Sequence, residues 1–417
     1  MSGAPKHLWL TAARLLDGSK NPPVEGGAVL FEDGRIVAIG RQADIITSAI
    51  ERVEYGDATI LPGLVDAHTH LISPGDGTAG DDTAAEDDQI LLLRAAQNLR
   101  TILQSGVTTV RDNGAKNQVA FSFREGLRRG LIVGPRVSIC GRPITMTGGH
   151  MWYFGSEADG EDGVRAEVRK LMKEGADYIK IVASGGSTRT SNWKRPSYTV
   201  AELKAITDEA HRQGKLTAAH CTCTASIENC LDATVDMIIH CVFTEPDGSY
   251  RRRQDLAERL AKAPVWVNPT LHILRAAIRH FTDLKGQRGS LSTQQDWLLE
   301  WTKGELEARL GAVGRMIKAG VKIVAGSDSP WNVYAPGGFS YEVEMMAQAG
   351  MSNRDAIVSG TSAAAESIGL GDVAGRLPPG RDADILVVAG DPTKDLGQLR
   401  QILDLYQGGR RVERALR

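Results

Sequence analysis

The sequence predicts an α/β protein: a (β/α)8 TIM barrel with a small β-sandwich domain built from both chain ends. Three observations lead there. Short β-branched runs alternate with amphipathic helical stretches through roughly the middle 300 of the 417 residues, which is the rhythm of a parallel α/β layout. Both ends are rich in strands and turns and lack long helical periods. No GxGxxG or GxxxxGK[ST] follows an early strand, which counts against a doubly wound nucleotide-binding sheet.

Taken in order, AVLFEDGRIVAIG (28–40) reads as two strands around an Asp-Gly hairpin turn. The runs at 64–68, 107–112, 135–140, 178–184, 216–220, 237–241, 265–269 and 322–328 read as the eight barrel strands. Helices are expected at 89–106, 163–175, 199–214 and 305–320, several ending in Gly as helix C-termini do. ADILVVAGDP (383–392) is a buried strand and turn, after which the tail returns to strand character. Residues 63–372 then form the barrel, and 1–62 with 373–417 form the composite sandwich domain.

Composition narrows the function classes. The 49 Lys+Arg nearly balance 51 Asp+Glu for a net charge of −2, with 42% hydrophobic and 24% charged residues. That excludes a disordered chain and a basic nucleic-acid binder. No stretch approaches the ~20 apolar residues that span a bilayer. The N-terminus MSGAPKHLWLTAARLLDGS lacks a long apolar segment with a cleavage site, so no secretory signal is expected. Cys occurs 5 times, an odd number, and all but Cys140 lie between Cys221 and Cys241; a disulfide framework is not expected, and a cytoplasmic location is.

Barrels keep their chemistry at strand C-termini. Those positions hold His68 and His70, Lys180 within the fourth strand, His220, His240 and Asp328. His68-Thr69-His70 places two imidazoles on one side of an extended segment, because side chains alternate with period two. His220 and His240 each close an apolar run; either is a metal ligand or a core histidine bonded to a carbonyl. Lys180 sits in the apolar strand YIKIVAS. It either snorkels to the rim or loses its proton and captures CO2 as a carboxylate-like bridge between metals. Asp328 in AGSDSPW is either a cap or a carboxylate that shuttles a proton from metal-bound water. His7, His211, His272 and His280 read as surface or capping residues. Cys221 and Cys223 read as free thiols beside a strand rather than as a redox or soft-metal pair.

Together, LPGLVDAHTH (61–70), YIKIVASGG, His220, His240, AGSDSPW and GRLPPGRDADILVVAGDP (375–392) resemble the binuclear-metal branch of the amidohydrolase superfamily. The resemblance implies two divalent metal ions, with zinc as the default and manganese or cobalt also suited to the ligands. His68, His70 and Asp328 would bind the first, His220 and His240 the second, and carboxylated Lys180 both. It implies hydrolysis of an amide C–N bond by a metal-bridging hydroxide, with Asp328 as general acid/base. TGGHMWYFG (147–155) and PSYTVAEL (196–203) are similar to a narrower group of Xaa-Pro dipeptidases, carboxypeptidases releasing Arg or Lys, and hydrolases of N-acyl amino acids or ochratoxin. There the equivalents of His150 and Tyr198 contact substrate; on the residues alone, a loop histidine and an aromatic staple remain open. Arg189, Lys194 and Arg195 in STRTSNWKRPS are either carboxylate receivers or solvated charges. Trp152 and Trp193 point to an aromatic substrate.

The expected substrate is thus a dipeptide of Xaa-Pro type or an N-acyl amino acid. Aryl carbamates, phenylureas, ochratoxin-like amides and lactones are the alternative. A mononuclear deaminase or imidazolonepropionase-like enzyme is less favoured, because such enzymes generally lack the strand lysine. The expected partner is a small carbonyl compound, with no nucleic acid or membrane; a homo-oligomer is expected.

Overall fold

A computed structural model describes residues 7–45 and 50–414. Five strands come first: β1 (His7–Leu15), β2 (Val24–Glu32), β3 (Arg35–Arg41), β4 (Arg52–Glu54) and β5 (Ala58–Pro62). Eight follow as parallel barrel strands: β6 (Leu64–Thr69), β7 (Val107–Asp112), β8 (Arg136–Ile139), β9 (Ile179–Val182), β10 (Thr217–His220), β11 (Met237–Ile239), β12 (Trp266–Asn268) and β13 (Lys322–Ile323). The chain closes with β14 (Ile385–Ala389), β15 (Ile402–Gln407) and β16 (Arg410–Arg411).

The two ends share one sheet, ordered β16-β15-β14-β5-β1-β2-β3 with β4 on β1. β2 and β3 pair across Asp33 and Gly34, whose φ of 45° and 82° give the mirror-image turn that matches strand twist. Leu10, Phe31, Ile60, Ile385 and Tyr406 fill this sheet's own apolar core. Each fully buried apolar side chain there contributes on the order of 2 kcal/mol by leaving water.

β5 runs almost directly into β6, so the terminal sheet anchors the first barrel strand. Gly63 makes that passage possible: a Cβ there would lie 2.2 Å from Thr108 Oγ1. The strands β6-β7-β8 and β9 to β13 form two parallel sheets. Backbone bridges Ile144–Ile181 and Thr69–Ser329 join them into a closed ring. Inside, Val65, Ala67, Ala218, Met237 and Ile239 pack together. The fully buried Arg111 crosses this interior; its Nε donates to Ala67 O at 3.0 Å and its guanidinium lies 4.8 Å from the Tyr178 ring centre.

The expected helices form at Asp88–Gln104, Gly160–Glu174 and Val200–Arg212. The last is started by a capping box in which Thr199 and Glu202 satisfy each other's backbone N–H. The helix expected at 305–320 is longer, Thr293–Ala319. Its first turns carry Trp297, Trp301 and Gly304, which blur the apolar stripe; the capping box of Ser292 with Gln295 marks the true start. It pairs with the helix His272–Arg288 to make a hairpin over the barrel mouth. No described helix is long and apolar enough to cross a membrane.

Candidate active site

The C-terminal ends of the barrel strands converge on one cluster. His68 Nε2 and His70 Nε2 lie 3.2 Å apart, and Asp328 Oδ1 lies 3.3 and 3.2 Å from them. Three such ligand atoms within 4.8 Å of one another match what a divalent ion needs. The neighbouring rings follow closely. His68 and His240 centroids are 5.6 Å apart, His220 and His240 4.6 Å, and His150 and His220 4.8 Å.

The backbone holds these groups in place. Asp328 N–H donates to His68 O at 2.8 Å, and His70 N–H donates to Ser329 O at 3.0 Å. Asp66 accepts from Ser327 N–H at 2.8 Å and from its hydroxyl at 2.5 Å, tying β6 to the end of the last strand. Asp328 and His240 adopt left-handed φ of 61° and 63°, as does Thr270 at 50°. Such non-glycine backbone costs roughly 1–2 kcal/mol per residue and persists only where the surroundings enforce it.

Second partners select the nitrogen each imidazole presents. Asn268 donates through Nδ2 to the carbonyls of Val324 (3.3 Å) and Gly326 (3.2 Å), which leaves Oδ1 to accept from His68 Nδ1–H at 3.0 Å. His68 Nε2 therefore carries the lone pair. His240 Nδ1 is bonded to Thr270 Oγ1 at 2.7 Å, freeing Nε2. His220 Nε2 donates to Gly185 O at 3.1 Å, freeing Nδ1. His70 Nδ1 is buried without a partner among the described residues. Burial holds the His68, His220 and His240 imidazoles well below their ordinary pKa, with Lys180 and neighbouring histidines adding to the effect. Neutral, oriented imidazoles beside a carboxylate are a donor set suited to metal ions.

Lys180 lies on β9, 1% exposed, with Nζ 3.3 Å from Asn113 Oδ1. Burial pushes its ammonium down to about 7. It faces a cavity of about 570 Å³ shared with His70, His150, His220, His240 and Asp328. His150 is buried, its pKa lowered to about 3 by burial, and packs so closely on Gly186 that a Cβ there would lie 2.4 Å from the ring. Thr188 N–H donates to His150 Nδ1 at 3.4 Å, which makes that nitrogen the acceptor; Thr188 Oγ1, 2.8 Å from it and accepting from Met151 N–H at 3.0 Å, then turns its own proton to Nδ1. The ring proton is then left on Nε2.

Of the other sequence-derived candidates, Tyr198, Arg189, Arg195 and Trp152 lie off the cavity wall. Tyr198 is buried and its hydroxyl donates to Ala158 O at 2.9 Å. Arg189 is exposed and paired with both Asp82 oxygens at 3.0 Å. Arg195 is exposed and so is Trp152, whereas Trp193 does line the cavity. His272, expected at the surface or in a capping role, starts the helix His272–Arg288 but is buried and stacked on Tyr341 at 5.0 Å. Cys221 and Cys223 are buried free thiols, with Cys221 Sγ 3.6 Å from Cys230 Sγ. Sequence reasoning missed the orienting Asn268 and Thr270, and Trp331, whose ring lies 4.8 Å from His70. It also missed the wall formed by the hairpin 272–319. A polar Asn closing the apolar strand VWVN was the available signal for Asn268.

Residues 59–412 match the amidohydrolase family. The chain belongs to that family. It is accordingly a hydrolase of amide bonds, from a family that uses metal ions on small-molecule substrates. Ochratoxinase of Aspergillus niger is 27% identical over 441 positions, spanning 95% of this chain and 85% of that protein. A solved amidohydrolase is 28% identical with a TM-score of 0.81, covering 99% of this chain and all (100%) of that one. The structure of a Xaa-Pro dipeptidase with methionine bound superposes with a TM-score of 0.82 at 24% identity, covering 98% and 100%, which shows the shared fold.

Proposed function

We propose that this hydrolase cleaves the amide C–N bond of a dipeptide of Xaa-Pro type or of an N-acyl amino acid, using two divalent ions. The observation that carries the reading is the convergence of four imidazoles, a carboxylate and a buried lysine at one barrel end. His68, His70 and Asp328 would hold one ion and His220 and His240 the other, with zinc the default. Lys180 would join them as a carbamate, since an amine with its pKa lowered to about 7 is substantially neutral and nucleophilic toward CO2 near neutral pH. When bound, the ions lower the pKa of water and polarise the scissile carbonyl. Asp328 takes the proton of the attacking water and delivers it to the leaving nitrogen, which is a poor leaving group until protonated. His150, with its proton on Nε2, donates to the carbonyl oxygen as negative charge builds there. Trp331 packed on His70 and the apolar cavity wall limit the water around these groups.

The wider reading, an aryl carbamate, phenylurea, ochratoxin-like amide or lactone, is favoured by the aromatic wall of Phe281, Trp193, Trp301 and Trp331. One screen separates the two: purified enzyme against dipeptides, N-acyl amino acids and aryl carbamates, with metal content measured on the same sample. Two ions per chain and turnover of the first two classes are expected; turnover confined to the carbamates would give the wider reading. Exchange with carbon-13 bicarbonate should give a carbamate resonance that disappears in Lys180→Ala together with metal. Full activity and two ions in that variant would exclude the bridge.

A further inference from the structure

The outer wall of the cavity comes from the hairpin 272–319, and Ile273, Phe281, Leu298 and Trp301 make it apolar. One charged pair interrupts it. Glu305 and Arg309 both line the cavity, one helical turn apart, with side chains only 17% and 16% exposed. Arg309 Nε donates to Glu305 Oε1 at 2.7 Å. Among the described residues, no acceptor meets Nη1 or Nη2. Nη1 and Nη2 are not sealed inside the protein but face the cavity, where a ligand can meet them. Glu305 fixes the plane of the group through Nε and leaves the two-nitrogen edge open. That edge matches a carboxylate bidentately. The two loop arginines do not serve here: Arg189 is paired with Asp82, and Arg195 is exposed beyond the wall.

We propose that Arg309, oriented by Glu305, receives the carboxylate on the amine half of the substrate, and that the surrounding wall takes a bulky apolar side chain on the same half. The natural substrate is then an N-acyl or N-aminoacyl derivative of a large apolar amino acid with a free carboxyl group. This rests on the amide-hydrolase reading and narrows it. A cavity of about 570 Å³ is of the size that encloses such a molecule.

The test compares N-acyl-phenylalanine with N-acyl-2-phenylethylamine, the same amide without its carboxylate, on the metal-loaded full-length enzyme. A charge-assisted bidentate contact should favour the acid in kcat/KM by about 10- to 100-fold. Arg309→Met should collapse that ratio, mainly through the KM of the acid. Arg309→Lys, which keeps the charge and loses the fork, should retain part of it, and it serves as the test should the Met variant not fold. Glu305→Gln should lower the ratio by several-fold. Binding of phenylalanine, read by tryptophan fluorescence, should weaken in the Arg309 variants whether or not any amide is turned over. Equal efficiency on acid and des-carboxy substrates overturns the proposal, as does a folded, metal-loaded Arg309→Met that keeps the ratio. Absence of turnover on every amide, with arginine-dependent phenylalanine binding intact, removes the amide reading and leaves the carboxylate subsite standing.

Discussion

The floor of the cavity and its outer wall are built in different ways. The floor rests on strand ends locked by backbone and side-chain hydrogen bonds: Asp328 to β6, Asp66 to Ser327, Asn268 to His68, and the Asn268 carbonyl to His240 N–H at 2.7 Å. The wall is a helical hairpin that presents apolar side chains and one ion pair to the cavity. Reaction chemistry needs positions fixed to a few tenths of an ångström, which a closed parallel ring supplies. Substrate choice needs shape and can vary with the helices while that ring stays unchanged.

If this division holds, damage to the floor should destroy turnover and damage to the wall should shift preference. The largest effect is expected at Asp328. Asp328→Asn removes the proton carrier, and kcat should fall by about 10³-fold or more while elemental analysis still finds metal. Near-normal turnover in that variant would give the proton transfer to another group. Next comes Asn268→Ala, which touches no substrate in this reading. Loss of the Oδ1 acceptor frees the His68 ring, so metal affinity or activity should drop by about 10- to 100-fold, as for other groups that orient metal ligands. Titration with a chelator measures it; unchanged affinity would mean the ring is held by packing alone. On the wall, Trp301→Ala should raise KM for aromatic substrates about 10-fold, in line with ~1.5 kcal/mol for a partly buried ring. Its kcat should move far less. A collapse of kcat instead would show that floor and wall act as one unit.

The same division explains what the sequence made legible. The eight barrel strands are short apolar runs bounded by turn residues, and their ends carry His68, His70, His220, His240 and Asp328 as the polar interruptions of otherwise apolar segments. Period and polarity alone expose such positions. Asn268 escaped because asparagine at a strand end is also ordinary turn chemistry, and its importance lies in a bond to a residue 200 positions away. The wall escaped for another reason. Its residues Ile273, Phe281, Leu298 and Trp301 face a cavity rather than a core, so the helices present apolar residues on more than one side and the stripe is lost. Arg189 and Arg195 lay in a promising loop, yet only tertiary structure shows that Asp82 engages the first and that Arg309, from a helix, is the guanidinium facing the cavity.

The smallest expected effect concerns how wall and floor are joined. Glu342, fully buried in the helix Phe339–Gln348, accepts from Leu271 N–H at 2.9 Å and His272 N–H at 2.6 Å, the first amides of the hairpin. Burial raises its carboxyl from 4.5 to about 8, and the charges of Asp66 and Asp328 act in the same direction. His272 beside it stays neutral, its pKa lowered to about 3 by burial. The folded protein then retains a proton that the unfolded chain gives up near pH 4.5, so the unfolded state binds fewer protons between pH 4.5 and about 8. Stability from this group is complete below the lower value and is lost as pH rises through the upper one. Glu342→Gln removes the titration. The urea midpoint of the natural protein relative to that variant should therefore decline across this window and stay level on either side. A level difference throughout would mean that the two N–H donors keep the carboxylate ionised, and that the hairpin is fastened to the barrel by a charged cap rather than by a neutral one.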